Sequence, residues 1–163
     1  MLNRPILKIS LTPVDKALEI FGWFTLAVLW CFTIYSYSKL PDIIPIHFNA
    51  HGQVNGRGSK ATIFILPVIA SIVFAGMTIL NKYPHIFNYP ANLTNENALR
   101  QYTNATSMLR YIKSIIVVIF LLIVLFTYWT AIGKTSGLGV WFVPLTFVMI
   151  ACPTIYFVVK SYR

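Results

Sequence analysis

Four stretches of this chain run for about twenty residues without a single charge: Ile20–Ser38, Ala61–Asn81, Ser114–Gly133 and Thr135–Val159. An α-helix rises about 1.5 Å per residue, so a run of that length crosses about 30 Å of hydrocarbon. None of the four has the polar face that a soluble bundle requires. The pattern predicts an all-α integral membrane protein, with one membrane domain over residues 1–163 and four transmembrane helices at about 20–38, 61–81, 114–133 and 135–159. Loop 39–60 lies at one end of the bundle and loop 82–113 at the other. Composition agrees: the apolar set makes up 57% and Asp, Glu, Lys and Arg only 10%, against roughly 25% charged residues in soluble domains. Disordered chains, disulfide-rich secreted domains and soluble enzymes are thereby excluded.

The charges between spans set an orientation. The lead-in (Arg4, Lys8, Lys16), the loop after span 2 (Lys82, Arg100, Arg110, Lys113) and the C-terminal end (Lys160, Arg163) carry nine basic residues on one side. Lys39, Arg57, Lys60 and Lys134 make four on the other. The positive-inside rule then predicts both termini in the cytoplasm and loop 39–60 outside. The net charge of +9 fits anchoring of inner loops on anionic lipid rather than nucleic-acid binding, because the basic residues are spread over several loops.

Thr12-Pro13-Val14-Asp15 reads as a helix start: a capping hydroxyl, a proline at the first helical position and an acid at the positive end. Pro41 and Pro45 forbid a helix in the outer loop. Ile46-His47-Phe48-Asn49 alternates apolar and polar like a short strand, predicting Ile46 and Phe48 packed inward, with Gly52, Gly56 and Gly58 marking turns. In the inner loop, Pro84 and Pro90 predict an irregular stretch, after which Thr94 caps an amphipathic helix leading into span 3. Its apolar stripe is Leu99, Tyr102, Ala105 or Thr106, Leu109 and Ile112, and Leu99, Tyr102 and Leu109 are its candidate partner-facing residues. Ser71 and Ala75 form a small-xxx-small pair suited to close helix contact.

Enzyme signatures are absent: there is no HExxH, GxSxG, P-loop or GxGxxG. No catalytic residue, metal or cofactor is therefore assigned. Asp15 and Glu19 read as helix-start acids, leaving the interior of the predicted spans free of ionisable groups, which counts against an ion-coupled transporter. His47 and His51 at i and i+4 could share a metal with Asp42 on a helix, but Pro45 and Gly52 argue against one. Along a strand they would stand about 13 Å apart. Cys31 and Cys152 lack CxxC spacing and read as small apolar residues.

Loop 40–60 carries something more specific. Leu40-Pro41-Asp42, Ile44-Pro45-Ile46-His47-Phe48-Asn49, Gly52 and Gly58-Ser59-Lys60 resemble the signature of domain of unknown function 1648, a bacterial membrane family whose pattern is roughly LPxxIPxHFNxxGxxDxxGSK. Weaker echoes are Asp15-Lys16, Leu18-Glu19-Ile20 and Gly22-Trp23 before span 1, and His85-Ile86-Phe87-Asn88-Tyr89-Pro90 in the inner loop. Asn55 stands where the family often has Asp. The domain also occurs in SdpI-like proteins, which protect a producer cell from its own membrane-active toxin and are usually longer, with additional spans.

The resemblance implies a multi-pass protein of a bacterial plasma (inner) membrane that binds or senses at the envelope, with immunity or signal transduction as its role. Its binding residues would be Pro41, Asp42, Pro45, His47, Phe48, Asn49, Gly52, Gly58, Ser59 and Lys60. Its partners would be the lipid bilayer, a peptide toxin, a cytoplasmic regulator or further copies of the chain. A small permease subunit is the alternative, and a membrane enzyme using Asp42, His47 and Asn49 comes third.

Overall fold

The computed structural model describes residues 4–163. Helix α1 spans Pro13–Tyr37 and starts as its residues dictate. Thr12 Oγ1 accepts from the Asp15 amide at 3.1 Å, and the Asp15 carboxylate accepts from the Thr12 amide at 3.0 Å, a reciprocal cap at a helix end that otherwise has unpaired donors. Strands β1 (Ile43–Phe48) and β2 (Val54–Ser59) form an antiparallel hairpin. A 3-10 turn over Lys60–Phe64 leads into α2, Ile65–Leu80. Helix α3 runs from Ala98 to Ala131 and α4 from Phe142 to Ser161. All four helices are long and apolar enough to cross a membrane.

Several boundaries depart from the sequence-based expectation. The amphipathic helix and span 3 are one continuous rod of 34 residues, about 51 Å long. Thr94 acts as expected, exchanging bonds with Asn97 (2.9 and 3.3 Å) one turn before the α-helix proper. Span 4 begins at Phe142, not Thr135, because Gly137 and Gly139 hold positive φ, which a helix excludes.

Register shifts between Pro45 and Phe48 break the alternation predicted for β1. Ile44 and Pro45 are the buried pair, whereas Ile46 is 49% exposed. Gly56 and Gly58 lie within β2 instead of turns. A Cβ at Gly58 would meet the Ile46 side chain at 2.8 Å, so the bare strand is what lets β1 lie so close.

Helix α3 packs against each of the other three helices. Leu26, Leu29, Ala70, Phe74, Val117 and Val124 form the main core. Lipid is as apolar as leucine, so close approach and interhelical hydrogen bonds must hold such helices together. Both are present. Gly22 sits against the Phe74 ring, where a Cβ would come within 2.6 Å, and Trp30 Nε1 donates to Ser71 Oγ at 2.9 Å. Ala75 of the expected small-residue pair is exposed.

Helix α4 is staggered toward the N-terminal end of α3. Its last turn meets Gln101 and Asn104, and its first turn packs near Ile119. The flank of α3 beyond that point is covered by the hairpin: Ile44 packs in the core with Val124, and Phe48 packs with Ile119, Leu138 and Phe142. The outer loop is thus a flanking wedge in line with α4.

Candidate functional site

The motif residues of loop 40–60 build the wedge from its backbone outward. Asn49 Oδ1 accepts from the amides of His51 and Gln53, both at 3.0 Å. Gly52, at φ +75°, closes the turn with its amide on the Asn49 carbonyl at 2.8 Å. Its own carbonyl accepts from the Leu138 amide at 2.8 Å, and Gln53 bridges Gly137. The segment before α4 is therefore sewn onto the hairpin tip.

At the hairpin base, Lys60 Nζ meets Asp42 at 2.9 Å and its amide donates to the Asp42 carbonyl at 2.9 Å. Ser59 Oγ caps the following turn. His47 Nδ1 pairs with Asn55 Oδ1, while His51 stands exposed at the tip. Among the described residues, no group of three or more His, Cys, Asp or Glu is placed to hold a metal. Cys31 and Cys152 are free and exposed on separate helices.

Most of the signature is thus bracing. What the wedge leaves open is a cleft of about 320 Å³ between β1, the start of α2 and the outer half of α3. Its walls include Ile44, Ile46, Ile63, Leu66, Ile123 and Val124. Pro45 and the exposed Ile46 also line it, whereas Phe48, half-buried, packs in the neighbouring cluster with Ile119, Leu138 and Phe142.

The predicted spans hold no ionisable group, but directly at their edges, on Glu19 and Lys113, lies a buried ionic cluster. Lys113 of α3 is 0% exposed and gives all three of its protons to acceptors: Glu19 Oε2 at 2.7 Å, Glu19 Oε1 at 2.9 Å and Thr78 Oγ1 at 2.8 Å. Arg110 Nε meets Glu19 at 3.1 Å and its Nη1 lies 3.7 Å from Asp15, which also accepts from Ser107 at 2.7 Å. Two acids on α1 and two bases on α3 cancel, as buried charges must. Glu19 and Lys113 each lie 18 residues from Tyr37 and Ala131, the C-terminal ends of their helices, a rise of about 27 Å. The cluster is a lock between α1, α2 and α3.

The predicted apolar stripe on α3 is likewise corrected. Its buried face is polar, formed by Gln101, Asn104, Thr106, Arg110 and Lys113, whereas Leu99 is 54% exposed and Leu109 half-buried. Tyr102 is buried, with its ring 5.6 Å from that of Tyr89. Of the three proposed partner-facing residues, only Leu99 is openly exposed. The signal for the lock was in the sequence: Asp15 and Glu19 are four apart, and Arg110 and Lys113 three apart, each spacing giving one helical face. Burial pushes the Tyr89 phenol well above its ordinary value of 10.0; its hydroxyl donates to the Pro84 carbonyl at 2.7 Å.

These features define a multi-pass membrane protein with a braced hairpin at one end and an ionic lock near the other. Residues 24–70 match the family described as Domain of unknown function (DUF1648), the family that the 40–60 motif resembles. An uncharacterized protein of Archaeoglobus fulgidus is 32% identical over 114 residues, covering 65% of this chain. The match spans 62% of that relative's length. No solved structure matches.

Proposed function

We propose that the chain is a non-enzymatic binding or sensing protein of an inner membrane, with both termini cytoplasmic and the hairpin outside. The observation that carries this reading is the apolar cleft under the wedge, about 320 Å³, whose lining carries the hydroxyls of Thr62 and Thr127 among apolar side chains. Pre-shaped apolar pockets with a few polar groups at the rim suit ligands that are half apolar, and the bracing by Asn49, Gly52 and Lys60 keeps the ordering cost of binding low. A membrane-active peptide lying in the outer leaflet has that character, and the SdpI-like resemblance supports immunity as the biological role. Of the motif residues, Pro45 lines the cleft and would meet the ligand beside Ile46, with Asp42, Asn49, Gly52, Gly58, Ser59 and Lys60 holding the wedge.

The test is survival of a host challenged with a panel of amphipathic membrane-active peptides, with and without the chain. Protection is expected from the wild-type chain, and its loss from Leu66→Trp, which fills the cleft. Equal sensitivity with and without the wild-type chain removes immunity.

A permease subunit is the second reading, favoured by the Glu19–Lys113 pair, since intramembrane ionisable residues commonly mark transport paths. Saturable solute flux in reconstituted liposomes would place it first.

A further inference from the structure

A second cleft of about 320 Å³ lies at the inner end of the molecule, on the face of α3 between the first turn of α1 and the last turns of α4. Its lining includes Asp15, Asn104, Ser107, Tyr111, Phe157 and Lys160. The acceptors sit on the α1 and α3 walls. Asn104 is 7% exposed; its Nδ2 donates to the Phe157 carbonyl at 2.8 Å, but its Oδ1 is buried without any partner. A buried acceptor left unmade costs about 1–3 kcal/mol, so such an atom marks a missing donor. Asp15 lines the same wall but is 2% exposed, its carboxylate already accepting from Thr12 and Ser107 and facing Arg110, which leaves Asn104 as the open acceptor.

The Tyr111 and Phe157 rings, 5.4 Å apart, line the same space, and aromatic faces attract cations. Lys160, one turn beyond Phe157, has no carboxylate within ion-pair distance among the described residues. The contacts of α4 place Lys160 nearer the inner mouth: its neighbour Ser161 bonds Gln101, whereas Asp15 bonds Ser107.

We propose that this cleft binds phosphoethanolamine chemistry, taking the primary ammonium against Asn104 and the aromatic rings and the phosphate on Lys160. The unpaired Asn104 oxygen sets the selectivity. It needs an N–H donor, which an ethanolamine ammonium supplies and a choline trimethylammonium does not. The aromatic walls alone would favour the quaternary ammonium, so the two headgroups separate the contributions. The source is either free phosphoethanolamine or the headgroup of an aminophospholipid in the inner leaflet.

The test titrates phosphoethanolamine, phosphocholine and ethanolamine into the purified full chain in a non-ionic detergent, read by calorimetry. A parallel arm weighs retained lipid by native mass spectrometry after incorporation into nanodiscs of phosphatidylethanolamine or phosphatidylcholine. Phosphoethanolamine should bind at least about tenfold more tightly than phosphocholine, a difference of about 1.4 kcal/mol. Lys160→Gln, an exposed change outside the packed core, should weaken phosphoethanolamine several-fold and leave ethanolamine unchanged. One retained phosphatidylethanolamine per chain identifies the lipid as the source; calorimetric binding without retained lipid identifies the free compound. Phosphocholine binding as tightly as phosphoethanolamine, or no binding in either arm, overturns the proposal.

Discussion

Glu19→Gln should destabilise the protein more than Lys113→Met, although the two residues share one ion pair. The asymmetry follows from exposure. Lys113 is 0% exposed and Glu19 22%. Glu19→Gln leaves a buried ammonium facing a neutral amide and Thr78, with Arg110 alone balanced by Asp15. Breaking a buried pair in this way costs about 3–5 kcal/mol. Lys113→Met leaves a carboxylate that still holds Arg110 Nε at 3.1 Å and reaches water, so its cost is nearer the about 1–3 kcal/mol of a lost partner. The double variant restores neutrality: Asp15 and Arg110 remain as one acid and one base. It should therefore be less destabilised than the sum of the singles, by about 3 kcal/mol, the upper end of measured pair couplings. The assay is reversible unfolding in mixed micelles titrated with SDS, read by tryptophan fluorescence. Additive singles, or a Lys113→Met variant less stable than Glu19→Gln, would refute the account of the lock as a neutral, mostly dry cluster.

Gly52→Ala places a Cβ against the backbone of Gly139 at a φ that L-residues disfavour, so it should cost about 1–3 kcal/mol and expose the 137–139 segment to proteolysis. Asn49→Ala removes the acceptor of two amides and should cost about 1–3 kcal/mol in the same unfolding assay; an unchanged midpoint would show that the turn does not need it. A cysteine placed at His51 should react with an impermeant thiol reagent on intact cells, and one at Arg163 only after the cells are permeabilised; the opposite pattern would reverse the topology. Tyr89, whose phenol stays protonated above its ordinary 10.0 in the folded state, stabilises the fold fully below about pH 10 and loses that contribution as pH rises through its folded value. Stability should thus fall in the alkaline limb, and Tyr89→Phe should flatten that fall.

The spans were legible because a charge-free run of twenty residues has few other outcomes. The cap at Thr12 was legible because it is made by neighbours in sequence. What stayed hidden is whatever depends on which faces meet. The 98–113 segment reads as amphipathic with an apolar inward stripe, but its polar residues have partners on other helices. Gln101 and Asn104 bond α4, and Arg110 and Lys113 pair with Glu19 of α1, so the polar face turns inward. Asp15 showed only its local role, since its bonds to Ser107 and Arg110 come from residues more than ninety positions away. The stagger of α4 was equally invisible, because hydropathy measures the length of a span and not its depth beside its neighbour.

The same distinction separates the two kinds of residue in the 40–60 motif. A signature in an exposed loop invites a reading as a binding surface, yet Asn49, Gly52, Ser59 and the Asp42–Lys60 pair spend their hydrogen-bonding capacity on one another and on the chain before α4. Buried backbone polar groups must be paired, and a hairpin packed along α3 carries a backbone that must be satisfied residue by residue. The motif is the solution to that constraint. Loss of function on replacing Asn49 or Gly52 would therefore report folding of the wedge, whereas Ile46, exposed in the cleft lining with no side-chain bond to backbone, is the position where a change in ligand response with unchanged stability would report recognition itself.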